Sequence, residues 1–271
     1  SDRDWSSDVC SSDLGHVVRE LVENDRVIGG LTHRCSQAAV ELYKSFVKGD
    51  CVITNARTAE MAKLTENSCR DVQIAFANEL SVICDKLDID VWELISLANR
   101  HPRINILKPG PGVGGHCIAV DPWFIVSKTP EQAKLIHTAR IVNDSKPQWV
   151  IDKVKIAIND FLQANPNKTA KDITVACYGL TFKPNIDDLR ESPALKIALS
   201  IAAMHSGRTW GVEPNIKALP DNIANIGLSL IEYQAAKSGA DIHLMLVDHS
   251  EFEGVNQCEN NVIDTKGIWC R

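Results

Sequence analysis

Ile173-Thr-Val-Ala-Cys-Tyr-Gly179 decides the fold of this chain, because six apolar or β-favouring residues run without interruption into a glycine. A run of this length and composition, ended by a turn residue, is typical of a strand buried on both faces. A helix is predicted shortly after it, since Ser192 can cap the first turn and Pro193 suits the first helical position. A buried strand followed by a helix indicates a parallel α/β sheet.

The remaining C-terminal residues repeat the alternation of strand and helix. Further strands are predicted at 208–212, 242–247 and 262–264, with a helix from about Leu228 to Lys237 before the second of these. Ligands of such sheets bind beyond the carboxyl ends of the strands, where the loop from Gly179 to Pro193 begins. No G-x-G-x-x-G fingerprint follows a strand anywhere, so this half shows no obvious dinucleotide site.

The residues before this sheet are predicted to be mainly helical. Apolar residues recur at helical spacing over five segments, which are 36–46, 57–87, 90–99, 133–143 and 148 to about 164. Earlier, residues 26–30 resemble the end of a strand followed by a glycine turn, and 51–54 predict a strand or an extended link. A helical region followed by a parallel sheet makes the chain an α/β protein.

Composition and charge exclude several classes of protein. The 271 residues suffice for one large or two modest domains, and the net charge of −6 gives no reason to expect nucleic acid or an anionic membrane as partner. No apolar run reaches the ~20 residues of a membrane span, and the polar, acidic N-terminus is not a signal peptide. The nine cysteines are scattered and form no C-x-x-C pair, so we expect neither a disulfide scaffold nor a metal site. This pattern predicts a reduced, cytoplasmic protein.

The first fourteen residues differ from everything that follows. Ser-Ser-Asp-Val at 6–9 and Ser-Ser-Asp-Leu at 11–14 form a near-repeat, with neither a helical nor a strand period. The segment also resembles translated sequencing adapter. We therefore expect residues 1–14 to be non-native or disordered and leave them out of the fold. From Gly15 onward the chain has the patterning of a folded protein.

The loop from Lys108 to Pro122 is the strongest candidate for a functional site. Four glycines let its backbone approach a ligand without hindrance from a Cβ, and it ends in a thiol, Cys117, and a carboxylate, Asp121. These features predict covalent chemistry. The alternative is a Gly/Pro-rich surface turn in which the cysteine is only a small apolar residue.

Further polar residues are candidates for binding or catalysis. Lys63 and Asn67 lie four residues apart on one face of the long predicted helix, where both can donate to a developing oxyanion. The cations Arg103, Lys108 and Lys183 can bind phosphate or carboxylate. For each of these residues, the alternative is a solvated surface side chain.

Three segments occur in an order that resolves these alternatives. They are Ala59-Glu-Met-Ala-Lys-Leu-Thr-Glu-Asn67, then Arg103-Ile104 with the loop from Lys108 to Asp121, and then Gly179-Leu-Thr-Phe-Lys-Pro-Asn185 with Arg190-Glu-Ser-Pro193. Together they resemble the nucleotide-sugar 6-dehydrogenases, the UDP-glucose/UDP-ManNAc dehydrogenase family. The resemblance extends from about Gly15 to the C-terminus.

The resemblance implies oxidation of the C6 alcohol of a nucleotide sugar to a carboxylate, by two successive hydride transfers to NAD. It implies that Cys117 attacks the intermediate aldehyde as a thiolate, giving a thiohemiacetal and then a thioester. Lys63 and Asn67 would stabilise the developing oxyanion, and Asp121 would help to activate the water that hydrolyses the thioester.

The resemblance also implies residues that bind the ligands. Arg103 and Lys108 match residues that hold the substrate, and the arginine reaches across the interface of a homodimer. Lys183 would contact the sugar end of a UDP-sugar from the C-terminal domain. Arg190 is carried over as a contact to the cofactor, although it can equally form a local ion pair with Asp188. The glycines that would let the backbone close on the nucleotide sugar are Gly112, Gly114 and Gly115.

Single residues within these motifs bear on the substrate. UDP-glucose enzymes usually carry serine before the cysteine and lysine three residues after it, where this chain has His116 and Val120. Together with Asn99–Arg103 and Val247–Ser250, these residues resemble members that act on UDP-N-acetyl-D-mannosamine for a surface polysaccharide of the enterobacterial common antigen type. Members that act on UDP-N-acetylglucosamine remain the nearer alternative.

The resemblance also implies a domain order. In the family an NAD-binding Rossmann domain comes first, and we expect it to be missing here apart from a remnant at 15–30. Residues 31–147 would then form the central helical, dimerising domain, and 148–271 the UDP-sugar-binding domain. We expect this chain to bind a UDP-sugar weakly and not to turn over with NAD. The alternatives are a non-catalytic, dimerising UDP-sugar-binding module and a Cys/His hydrolase that uses Cys117.

Overall fold

A computed structural model describes residues 5–7, 17–221, 223, 226–254 and 261–269 of the chain. In chain order its elements are β1 (Trp5–Ser7), α1 (Val17–Glu23), β2 (Arg26–Gly30), α2 (His33–Tyr43), β3 (Cys51–Asn55), α3 (Ala56–Leu87), α4 (Val91–Ala98), α5 (Asp121–Lys128), α6 (Lys134–Ala164), β4 (Thr174–Tyr178), α7 (Pro193–Met204), β5 (Arg208–Val212), β6 (Leu228–Leu230), α8 (Tyr233–Gly239), β7 (Ile242–Met245) and β8 (Val262–Asp264). The chain divides into two compact units, Ser1–Arg70 with Val120–Lys134 and Asp71–Ala119 with Leu135–Arg271.

The first unit contains a small sheet in the order β1-β2-β3. Strands β2 and β3 are parallel, and α2 connects them, which makes a β-α-β motif. Thr32 caps α2 by accepting a hydrogen bond from the backbone N–H of Cys35. The apolar core between α2 and the sheet is formed by Ile28, Ala39, Val40, Tyr43 and Val47.

The segment 1–14 was expected to have no regular structure, but Trp5–Ser7 forms β1, which pairs antiparallel with β2. The edge of β2 offers unpaired backbone groups, and pairing with such an edge requires no apolar period in the added strand. This pairing is why the absence of a hydrophobic pattern did not predict β1. The rest of the 1–14 segment lies outside the described residues.

The second unit is built on a five-stranded sheet in the order β6-β5-β4-β7-β8, in which every pairing is parallel. The prediction of a parallel α/β sheet is confirmed. All five residues of β4 are buried, as its apolar sequence requires at the centre of the sheet. Burial raises the pKa of the Cys177 thiol in this strand to about 12.

Helices α6 and α7 cover one face of this sheet, and helix α8 and a group of aromatic residues pack on the other. On the first face, Val150 and Val154 of α6 and Ile197 of α7 pack against Val175 and Leu244. The opposite face packs around the Tyr178 ring, which makes edge contacts with Phe252 and Trp269. Because β4 is flanked by β5 and β7, the strand order reverses between β4 and β7. In open parallel sheets, ligands bind beside such a reversal.

The structure differs from two predicted helices. The segments 133–143 and 148–164 were predicted as separate helices, but α6 is continuous through Pro147 and through the predicted domain boundary at 147/148. A proline removes one helical hydrogen bond, but buried side chains on both sides of it, Lys146 and Val150, keep the helix in register.

The helix predicted to begin at Leu228 instead starts at Tyr233 as α8, because Leu228–Leu230 pairs with β5 as strand β6. Helix α5 was not predicted. None of the helices in the described residues is both long enough and apolar enough to cross a membrane.

Candidate functional site

The loop after β4 leaves the sheet at the point where the strand order reverses. It begins at Gly179, whose φ of +83° is strained for other residues, and a Cβ there would overlap Val247 beyond the end of β7. The loop continues through Lys183 to Ser192, which caps α7 as predicted by accepting a hydrogen bond from the N–H of Leu195. The topology thus presents this loop at the predicted ligand edge of the sheet.

The glycine loop lies directly against the loop after β4. A Cβ on Gly114 would lie 2.6 Å from the carbonyl oxygen of Glu191 and 2.6 Å from Cδ of Pro193. A Cβ on Gly115, whose φ is +84°, would lie 3.3 Å from the ring of Phe182. The structure therefore brings together two motifs that are about 70 residues apart in the sequence, and it does so through glycine contacts.

Substituting Gly114 by alanine is expected to displace the glycine loop, because the methyl group cannot avoid the backbone at Glu191. We expect destabilisation of about 1–3 kcal/mol, typical of overpacking, measured as the shift in the urea midpoint. Gly110→Ala is the matched control, since a Cβ there meets only Nζ of Lys266 at 3.7 Å. Equal destabilisation by the two substitutions would contradict the close approach at Gly114.

Lysine cations lie in the two loops or beside them. Lys108 is exposed at its start, and Lys183 is partly buried in the loop after β4. The structure adds Lys266, which follows β8, lies beside Gly110 and pairs with Asp248 at 3.1 Å. Lys266 was not predicted from the sequence, although a cation just after the last strand was a usable signal. Cys117 is a partly buried thiol outside any disulfide, at the end of the same loop.

A buried polar network supports the glycine loop from behind. The side-chain oxygen of Asn78 in α3 accepts a hydrogen bond from the backbone N–H of Gly110 at 2.9 Å. Asn143 of α6 accepts from the amide of Asn78 and donates to Asp71, which also pairs with Arg140 at 2.7 Å. Burial raises the pKa of Asp71 although Arg140 acts to lower it. No sequence pattern indicated these contacts, which join residues 32 to 72 positions apart.

Arg103 and Arg190, two residues predicted to bind ligands, are both exposed. The side chain of Asn99 closes the preceding loop by bonding both backbone groups of Ile106, and this leaves Arg103 exposed. Arg190 is exposed and forms a bidentate pair with Asp188, at 2.7 and 2.9 Å, so the local ion pair is formed. This hydrogen bond lowers the pKa of Asp188. A role of Arg190 toward a cofactor stays a prediction.

The other three predicted catalytic residues belong to the first unit. Within it, the amide of Asn67 on α3 donates to Oδ2 of Asp121, the first residue of α5, at 2.6 Å. Lys63 lies one turn before Asn67 and pairs with Glu66 at 3.4 Å. Asn67 and Asp121, predicted from motifs 54 positions apart, are therefore in direct contact. Cys117 belongs to the second unit.

Neither a metal centre nor a dinucleotide site is found in the described part of the chain. No group of three His, Cys, Asp or Glu there could hold a metal ion. The six described cysteines form no disulfide with one another: Cys35, Cys51, Cys69, Cys84, Cys117 and Cys177. Strand β2 ends in Gly29-Gly30 and leads into Leu31-Thr32, without the glycine spacing that admits a pyrophosphate. The described residues therefore do not fit the main binding site of NAD.

Sequence models of two domains match the two parts of the chain that carry these loops. The model of the UDP-glucose/GDP-mannose dehydrogenase family central domain matches residues 57–145, and that of the family's UDP binding domain matches residues 176–271. The chain belongs to the UDP-glucose/GDP-mannose dehydrogenase family. The Lys63 helix and the glycine loop fall within the central domain of this family, and the Lys183 loop falls within its UDP binding domain.

Relatives with assigned activities share most of this sequence. The UDP-N-acetyl-D-mannosamine dehydrogenase of Salmonella typhimurium is 61% identical over 94% of this chain. The NDP-N-acetyl-D-galactosaminuronic acid dehydrogenase of Ralstonia solanacearum is 58% identical over the same share. Among solved structures, the UDP-N-acetyl-mannosamine dehydrogenase of S. aureus matches 95% of this chain with a TM-score of 0.77 and 40% identity.

The chain spans only part of the length of these dehydrogenases. It covers 61% of the Salmonella enzyme, 58% of the Ralstonia enzyme and 59% of the S. aureus chain. The family resemblance predicted from the three motifs is confirmed, as is the order of a helical region followed by a parallel-sheet domain.

Proposed function

We propose that this chain serves the oxidation of UDP-N-acetyl-D-mannosamine at C6, giving UDP-N-acetyl-mannosaminuronate for a surface polysaccharide of the enterobacterial common antigen type. The observation that carries the proposal is the contact between the glycine loop, which ends in Cys117, and the loop of Lys183 at the reversal of the sheet. The Salmonella and S. aureus relatives, named for this substrate, support the choice of sugar.

Binding of the nucleotide sugar rests on the second unit. The glycines let the loop at 110–115 pack closely against the loop after β4, and the two loops and the end of β8 carry the cations Lys108, Lys183 and Lys266. Lysine ammonium groups bind phosphate as point charges, which suits the diphosphate of a UDP-sugar. Arg103 is proposed to act across a homodimer interface, on the basis of the motif alone.

The chemistry assigned to each residue follows the motifs. The Cys117 thiolate adds to the C6 aldehyde carbon, and the oxyanion that forms accepts hydrogen bonds from Lys63 and Asn67. NAD would supply the two-electron acceptor that each of the two oxidations requires. Water then attacks the resulting thioester, Asp121 accepts a proton from it, and the carboxylate and the free thiol are released. Since Asp121 accepts from Asn67 through Oδ2, its Oδ1 is available to the water.

Binding and turnover can be tested separately on the 271-residue chain. Calorimetric titration is expected to detect weak binding of UDP-N-acetyl-D-mannosamine and weaker binding of UDP-N-acetylglucosamine, UDP-N-acetylgalactosamine and UDP-glucose. Lys183→Ala is expected to weaken binding about tenfold, equivalent to about 1.4 kcal/mol. With NAD added, we expect no increase in NADH absorbance. Absence of UDP-sugar binding, or steady NADH formation by this chain, would each contradict the proposal.

A second candidate function is a UDP-sugar-binding, dimerising module that carries out no reaction. It is favoured by one observation, that no described strand leads into a G-x-G-x-x-G turn. NADH absorbance separates it from the dehydrogenase for any longer polypeptide that contains this chain, and light scattering tests the homodimer.

A further inference from the structure

His249 is a completely buried residue that the proposed chemistry does not use. It follows β7, on the ligand edge of the sheet, within the Val247–Ser250 motif. Its Nε2 lies 2.9 Å from Oε2 of Glu213, and its Nδ1 lies 3.0 Å from the backbone nitrogen of Asn185. One imidazole ring therefore connects the residues after three strands, β4, β5 and β7.

The contacts of the ring determine its protonation. The backbone N–H of Asn185 can only donate, so Nδ1 of His249 must accept and carries no proton. The proton of the neutral ring is then on Nε2, where it is donated to Glu213. Burial acts to raise the pKa of Glu213, but hydrogen bonds from His249 and from the N–H of Leu180 hold it below its usual value. The result is a neutral histidine on an ionised glutamate.

These bonds fix the loop on both sides of Lys183. Before Lys183, the N–H of Thr181 donates to Glu213 at 3.2 Å, and the Thr181 hydroxyl donates to the carbonyl of Lys183 at 2.9 Å. After Lys183, Asn185 has a φ of +61°, a left-handed conformation that residues other than glycine adopt infrequently. The bond to His249 and a second bond, from the N–H of Ser250 to Oδ1 of Asn185 at 2.9 Å, hold this conformation.

We propose that neutral His249 is a positioning residue, which fixes the backbone around Lys183 and so directs that cation toward the diphosphate of the nucleotide sugar. The part that concerns the ligand rests on the proposed function, whereas the part that concerns the loop does not. Since His249 is buried beneath the loop, it acts on the ligand only through Lys183.

Adding a proton to His249 would disrupt this arrangement. An imidazolium carries a proton on Nδ1, which would face the N–H of Asn185, donor against donor. The ionised Glu213 opposes this by stabilising the imidazolium, while Asp248, the next charged group along the chain, is already paired with Lys266. A charged ring would therefore lose the bond to Asn185 that holds the Lys183 loop.

Two substitutions separate the two nitrogens of the ring. His249→Asn keeps an acceptor near the Nδ1 position, whereas His249→Gln keeps a donor near the Nε2 position. In the full 271-residue chain, we expect His249→Gln to accelerate hydrogen exchange of the Asn185 amide at least tenfold and to weaken UDP-N-acetyl-D-mannosamine binding about tenfold. His249→Asn is expected to retain most of both properties. In a Lys183→Ala background, His249→Gln should weaken binding no further.

Other outcomes would overturn the inference. Unchanged exchange at Asn185 in His249→Gln would show that the ring does not hold the loop, and additive losses with Lys183→Ala would show that it does not act through that lysine. If both variants unfold, nitrogen-15 NMR of the unmodified chain decides, because a proton on Nδ1 at neutral pH contradicts the assignment. If the unmodified chain binds no UDP-sugar, the proposed function fails, while the exchange measurement still decides on the loop.

Discussion

Replacing Cys117 by alanine is expected to abolish uronate formation while leaving UDP-sugar binding within about twofold. The thiol is the proposed nucleophile for the aldehyde, and removal of a catalytic nucleophile lowers kcat by factors on the order of 10⁴–10⁶. Binding depends instead on the loop backbone and the neighbouring cations, which the substitution leaves in place. The measurement is product analysis by mass spectrometry, in any polypeptide that contains this chain and reduces NAD.

Cys69→Ala is the control for this substitution, because Cys69 is an exposed free thiol on α3. We expect it to retain full activity. Uronate formation by Cys117→Ala at more than a few per cent of the unsubstituted rate would show that the thioester route is wrong. Loss of UDP-sugar binding in the same variant would indicate a structural effect of the substitution instead.

Replacing Arg140 by glutamine is expected to destabilise the second unit by about 3–5 kcal/mol. Asp71 is fully buried, and removing its cationic partner leaves an uncompensated charge in the interior. The loss is measured as the shift in the urea midpoint at neutral pH. Lys155→Ala is the control, because it removes only an exposed pair with Asp152, which solvent screens.

The pH dependence of the Arg140→Gln variant follows from the raised pKa of Asp71. An acid whose pKa is higher in the folded than in the unfolded state binds protons preferentially when folded, so acidification favours folding. Without Arg140 this pKa rises further. The destabilisation should therefore shrink as the pH falls and Asp71 becomes neutral. A deficit that stays constant between pH 8 and pH 5 would contradict the buried-charge explanation.

Local sequence was sufficient to predict those elements whose own residues determine their structure. Observed elements correspond to the apolar run in β4, to the Ser192 cap of α7 and to the helical spacing of apolar residues along α3. Local sequence did not predict an element whose structure depends on contacts with residues elsewhere in the chain. Strand β6 exists because β5 pairs with it, and Pro147 stays helical because buried side chains on both sides of it keep α6 in register.

The same distinction applies to the residues of the candidate site. Cys117, Lys183 and the glycines were found because their motifs are contiguous in sequence. His249, Glu213 and Asn78 act through partners 32 to 68 positions away, and the topology alone brings them to the site. Such contacts leave no periodic or compositional trace, so sequence patterns did not predict them.

Cys117 and Cys177, both in the second unit, differ in their accessibility to reagents, so their labelling rates report two different events. Cys177 is fully buried in β4 and keeps its proton at neutral pH, so alkylating reagents reach it only after the central sheet has opened. Cys117 is partly accessible in the folded state. The rate at which Cys177 is labelled therefore reports sheet opening, and labelling of Cys117 reports access to the loop, within one polypeptide.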